Sequence, residues 1–136
     1  MKRMLVATVA GGFAFFVLGG LIYEVILGGF YRANLGSATG VLRELPIWWA
    51  MVVSQLGLAA VVTFVFHHAH VATASDGLKK GAIFGLLLGI AMSFDLYAVT
   101  NWSNATVAFV EPFVWAVRTA LAGAVIGWTL GRGSSK

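Results

Sequence analysis

The sequence predicts an all-α fold, a bundle of four transmembrane helices with short loops, and three observations predict it. Hydrophobic residues make up 60% of the chain and charged residues only 10%, against about 25% charged in an ordinary soluble domain. Mean hydropathy is +0.90. The apolar residues fall into four stretches, each long enough to cross a hydrocarbon core of about 30 Å, separated by loops at 32–45, 71–78 and 101–110. With 136 residues so occupied, residues 1–136 are expected to form a single integral membrane domain.

The first span is expected over 4–31. Its apolar run is too long for the core of a signal peptide, and Glu24 follows it without a convincing cleavage site. The second is expected over 46–70, with Pro46 suited to a first helical turn. The third is expected over 79–100 and the fourth over 111–130, with Pro112 near its start. Orientation follows the positive charge. Lys2, Arg3, Lys79, Lys80, Arg132 and Lys136 fall on one side, whereas Arg32 and Arg43 fall on the other. A multi-pass protein of the cell inner (plasma) membrane with both termini cytoplasmic is expected. Trp48, Trp49 and Trp102 then lie near the outer interface, where indole rings prefer to sit.

Small residues recur at a spacing of four in the third and fourth spans: Gly81, Gly85 and Gly89, then Gly123, Gly127 and Gly131. Such stripes let helix backbones approach closely in lipid. Helical phase turns Arg118 well away from the Gly123 stripe. That stripe is therefore expected to face another helix or another subunit, and a homo-oligomer or a membrane-protein partner is expected beside the lipid bilayer itself.

The ionisable residues inside the spans carry the functional expectation. Glu24, Asp95 and Arg118 each lie six or seven residues from the same end of their expected spans, roughly 10 Å below one membrane face. Intramembrane ions usually face the bundle interior and mark a site. Arg118 stays protonated and can clamp a carboxylate with two hydrogen bonds, supplied here by Asp95 or Glu24. Phase places Glu111 and Trp115 on the Arg118 face, and Gln55 slightly deeper than the acids. Tyr23, Tyr97, Asn101 and Trp115 would add hydrogen bonds or an aromatic wall. The expected ligand-binding set is thus Glu24, Gln55, Asp95, Arg118, Glu111, Trp115, Tyr97 and Asn101. With the glycine stripes in the cytoplasmic half, the bundle is expected to be pinched there and to open an outward-facing polar pocket.

Other chemistries find less support. The pI near 9.9 does not indicate nucleic acid, because basic residues are scattered around the spans. Zero cysteines exclude disulfides, thiolate metal sites and cysteine nucleophiles. His67, His68 and His70 with Asp76 fit no strong metal motif, and interfacial histidines near lipid headgroups are the expected reading. The Asn101-Trp-Ser and Asn104-Ala-Thr sequons lie very near the membrane and read as chance matches. No Walker loop and no nucleophile-plus-base arrangement is present, so neither an enzyme nor a cofactor is expected.

The stretch Gly20-Leu-Ile-Tyr-Glu through Gly29-Phe-Tyr-Arg-Ala-Asn-Leu-Gly36 and the segment Phe94-Asp-Leu-Tyr-Ala-Val-Thr-Asn101 resemble small bacterial four-helix integral membrane proteins of unknown function. That resemblance implies a fold and no activity. Small multidrug exporters also carry a single Glu in their first span, but Arg118 argues against a site for cationic drugs. The polar motif of small fluoride channels is missing. Two functions are expected on this reading: binding or transport of a small molecule or ion, or an accessory membrane subunit whose charges form a structural ion-pair network.

Overall fold

The computed structural model describes residues 1–132, so the expectation for Lys136 lies outside the described residues. Four helices are long and apolar enough to cross a membrane. The first span runs Lys2–Ile26 and has two parts: α1 (Lys2–Gly20) and a π-helical segment (Leu21–Ile26). The chain breaks at Leu27 and resumes as the short α2 (Gly28–Ala33). Then come α3 (Trp48–His68), α4 (Ala74–Val99) and α5 (Ala105–Gly131).

α3 begins at Trp48 with Ile47 as its cap, so Pro46 precedes the helix rather than lying in its first turn. The starts of α4 and α5 differ more, both for the same local reason. α4 begins at Ala74, not 79, because the Thr73 side chain accepts the Asp76 N–H. α5 begins at Ala105, not 111, because the Asn104 side chain accepts the Val107 N–H. Pro112 therefore sits inside α5 rather than at its start, as transmembrane helices tolerate when neighbours satisfy the freed carbonyl. Asn104 also donates to Asn34 Oδ1 at 2.9 Å. Asn104→Ala should therefore cost about 1–2 kcal/mol; an unchanged melting temperature in detergent would refute this.

α3 ends in a Schellman turn. Val71 N–H donates to Phe66 O and His70 N–H to His67 O, and Phe66 and Val71 pack in the same core cluster. The left-handed position of this turn is usually glycine, but here it is His70, with φ 55°.

Packing is unequal around the molecule. α5 is the most enclosed helix, with 44% of its 18-residue apolar stretch buried against 17–22% in the others, and it touches α1, α3 and α4. α1 lies between α3 and α5, whereas α4 packs along α5. The arrangement is a three-helix bundle of α1, α3 and α5 with α4 laid against one side. Its apolar core of Ala7, Phe15, Ala59, Val62, Phe66, Ala122 and Ile126 occupies the half nearer the termini.

The α4·α5 seam shows which of the two expected neighbours the glycine stripe of the fourth span faces: another helix. Gly77, Gly81, Gly85 and Gly89 of α4 lie directly on α5, and Gly123 and Gly127 of α5 lie on the start of α4. The two stripes pack on each other, so neither remains for a second subunit. The seam also runs up to Pro112 and Trp115 beside Gly89, so the two helices are not pinched at one end alone.

At the opposite end from the termini, the chain after α2 is tied to the α4–α5 loop. Gly36 N–H donates to Trp102 O at 2.9 Å, Ala38 N–H to Asn101 O at 3.0 Å, and Asn104 N–H to Asn34 O at 3.1 Å. Gly36 is required there, because a Cβ would collide with the Asn101 carbonyl.

Candidate polar site around Arg118

Arg118 lies at the middle of α5, thirteen residues from either end, roughly 20 Å along the helix from its start. Only 6% of it is exposed. Its Nη2 donates to Phe15 O at 2.9 Å and to Gln55 Oε1. A carbonyl oxygen has two lone pairs, so Phe15 O can serve Arg118 without leaving the α1 ladder. The guanidinium carbon lies 5.4 Å from the Phe15 ring centre and 5.6 Å from that of Tyr23. Gly19 makes the room: a Cβ there would come within 2.8 Å of Nη2. Arg118 Nε is buried with no hydrogen-bond partner.

Seven residues earlier on α5, Glu111 collects three donors. Tyr23 Oη donates at 2.6 Å, Tyr31 Oη donates as well, and Trp115 Nε1 donates at 3.2 Å. The two tyrosine rings lie 5.2 Å apart. Tyr23 links the two charges: its hydroxyl serves Glu111 while its ring borders Arg118. Arg118 forms no ion pair with any carboxylate among the described residues.

The expected layer of Glu24, Asp95 and Arg118 is thus not assembled. Glu24 is exposed, 3.8 Å from an equally exposed Arg32. Asp95 is exposed on α4 and has no hydrogen bond or ion pair among the described residues. Tyr97 and Asn101 are exposed too, and the Asn101 carbonyl serves the Ala38 N–H. Gln55, Glu111 and Trp115 do join Arg118 in one array, with Tyr23 and Tyr31.

Helix phase explains the separation. α4 turns Gly77, Gly81, Gly85 and Gly89 onto α5, and one further step of four reaches Ser93, whose hydroxyl is buried. Asp95 lies two residues on, about 200° round the helix and so on the opposite face. In the first span, the Leu21–Ile26 segment closes an i→i−5 bond from Leu27 N–H to Ile22 O. The extra residue per turn alters the register there, with Tyr23 half-buried and Glu24 outside. Depth differs as well, because α5 begins at Ala105 rather than 111, which places Arg118 at mid-helix. Tyr31 was not singled out in the sequence; its spacing of eight from Tyr23 was the available signal.

Two cavities lie away from the array. One of about 720 Å³ opens at the end of the molecule near residue 1, lined by Lys2, Arg3, His67 and His70 among others. A second, of about 490 Å³, is an apolar groove between α1 and α3. Neither touches the Arg118 array. Among the described residues, no group of three or more histidine or acidic side chains converges as a metal site. Asp76 pairs with Lys80 at 3.0 Å, and His68 Nδ1 lies 2.8 Å from Phe64 O.

No family model, curated protein or solved structure matches the chain.

Proposed function

We propose that this multi-pass membrane protein binds, and in a transport cycle passes, a small polar molecule or ion at the Arg118 layer, without catalysing a reaction on it. The observation that carries this reading is Arg118 Nε, an N–H of a mid-helix guanidinium buried with no acceptor. A buried charged donor left unmade is costly, and an intramembrane cation is a functional hypothesis by default. The π-helical segment that presents Tyr23 supports it, since such segments are frequent at functional sites. Access would run past half-buried Glu111, from the end where Asn34–Ala38 meets the α4–α5 loop. Both termini lie in the cytoplasm on this reading, following the bias of Lys and Arg, and that access end faces outward.

Native mass spectra of gently extracted protein test it. Wild type should carry a small bound mass that is lost in Arg118→Gln and weakened in Glu111→Gln. Identical ligand-free spectra for a correctly folded wild type and both variants would overturn it.

A second reading has its own observation. α4 leaves Asp95 exposed and unpaired within an apolar span, and hydrocarbon does not readily accommodate a lone carboxylate. A neighbouring membrane subunit that covers this flank would make the chain an accessory protein. Asp95→Asn should then weaken co-purification of that subunit. Unchanged recovery would speak against it.

A further inference from the structure

The geometry points to a binding site for one anionic phospholipid where α1 begins and α3 ends, with the phosphate in the basic cavity and an acyl chain in the adjoining apolar groove. The cavity of about 720 Å³ is lined by Lys2, Arg3, His67 and His70, and no carboxylate lines it among the described residues. The groove of about 490 Å³ shares Met1 and Met4 with it and continues over Leu5, Thr8, Val61 and Phe64. Along α1 the lining passes from Lys2 and Arg3 to Leu5 and Thr8. Along α3 it passes from His67 back to Phe64 and Val61. Both helices therefore change from polar, hydrogen-bonding side chains to apolar ones in the same direction, from the membrane boundary inward. That is the polarity profile of a lipid, with its head at the surface and its tail in the hydrocarbon.

Two further features fit a ligand better than the needs of the fold. Lys2 and Arg3 occupy the first turn of α1, the end of a helix that repels cations. His70 holds the left-handed position of the Schellman turn, which glycine would fill without strain. Its place beside the cavity gives that strained histidine a use. Even as a neutral ring it offers one N–H donor to a phosphate oxygen. Basic recesses between transmembrane helices are suited to anionic headgroups. Free inorganic phosphate could use the same hydrogen-bond donors, but it would leave the groove unexplained.

The intact chain in mild detergent is titrated separately with dioleoyl phosphatidylglycerol, dioleoyl phosphatidylcholine and inorganic phosphate, and bound lipid is counted by native mass spectrometry. The glycerol lipid should bind roughly tenfold tighter than the choline lipid, and each basic residue removed in Lys2→Gln or Arg3→Gln should weaken it by about fivefold. Ala60 also lines the groove, and Ala60→Trp, which fills it, should weaken lipid binding. His70→Gly should weaken it without lowering the melting temperature, which separates a ligand role from a structural one. Equal binding of the two lipids would overturn the assignment. So would insensitivity to both His70→Gly and Ala60→Trp, or displacement of the lipid by equimolar phosphate, which would mark a site for the free anion.

Discussion

Arg118→Ala should lower the stability of the folded protein by about 3 kcal/mol or more, and by clearly more than Glu111→Ala. The reason is the position of each side chain. Arg118 is 6% exposed and supplies the donors for Gln55 Oε1 and Phe15 O. Its loss takes the donor from the half-buried Gln55 acceptor and opens a void between Phe15, Gly19 and Tyr23. Glu111 also serves three donors, but it is only half-buried. The Tyr31 hydroxyl and the Trp115 N–H can find other acceptors near the surface, so Glu111→Ala should cost about 1–2 kcal/mol. Arg118→Met separates the two effects of the arginine: it refills most of the volume and removes a desolvated cation, which can offset the lost hydrogen bonds. The expected order of melting temperatures in detergent is wild type and Arg118→Met above Glu111→Ala, with Arg118→Ala lowest. Equal melting temperatures for Arg118→Ala and Glu111→Ala would refute the account.

The same residues show what could be read in the chain beforehand. The four spans are a property of composition and length, because only helices and closed barrels satisfy the backbone in lipid, and a long continuous apolar run fits the helix. Their existence therefore needed no tertiary information. Their starts did carry local signals, in the side chains of Thr73 and Asn104 that cap α4 and α5. The first turns of α4, through Lys80, are polar and fall outside the apolar run, whereas in α5 the apolar 105–110 reads as loop because Glu111 and Pro112 resemble a helix start. That error of six residues in α5 moved Arg118 from an apparent outer layer to the middle of the helix.

The partners of Arg118 were harder to foresee. Charge complementarity favoured Asp95 and Glu24, but charge says nothing about which face a helix turns inward. For α4 the face is set by the glycines, since Gly81 and Gly85 let the backbones meet and so decide what points away. For the first span it is altered by one π-helical segment, Leu21–Ile26, with no proline to announce it. Gln55, Glu111 and Trp115 were accessible to phase arguments because α3 and α5 run as continuous α-helices there. Neutral donors and acceptors do the work expected of ions. Two tyrosines and a tryptophan hold the carboxylate, and an amide and a carbonyl hold the guanidinium.

Gly81→Leu should separate α4 from α5 and produce a loss comparable to that of Arg118→Ala. In lipid there is no hydrophobic incentive to associate helices, so contact between close backbones supplies most of it. A Cβ at Gly81 would meet the carbonyl and carbon of Thr119 and lie 3.1 Å from Ala120 Cα. These are backbone atoms that cannot turn aside as a flexible side chain does. Even Gly81→Ala should cost about 1–3 kcal/mol, the usual penalty for overpacking. Because α4 has little contact with α1 or α3, nothing else would hold it, and Gly81→Leu should free it from the three-helix core. Gly57 is the matched control. It lies within α3, and a Cβ there would meet nothing within 4 Å. Gly57→Ala should therefore stabilise the protein by about 0.5–1 kcal/mol, through the helix preference for alanine alone. The two alanine variants add the same methyl group to two transmembrane helices and should move the detergent melting temperature in opposite directions. Equal shifts would mean that helix propensity, not the fit of the glycine seam, governs this pair.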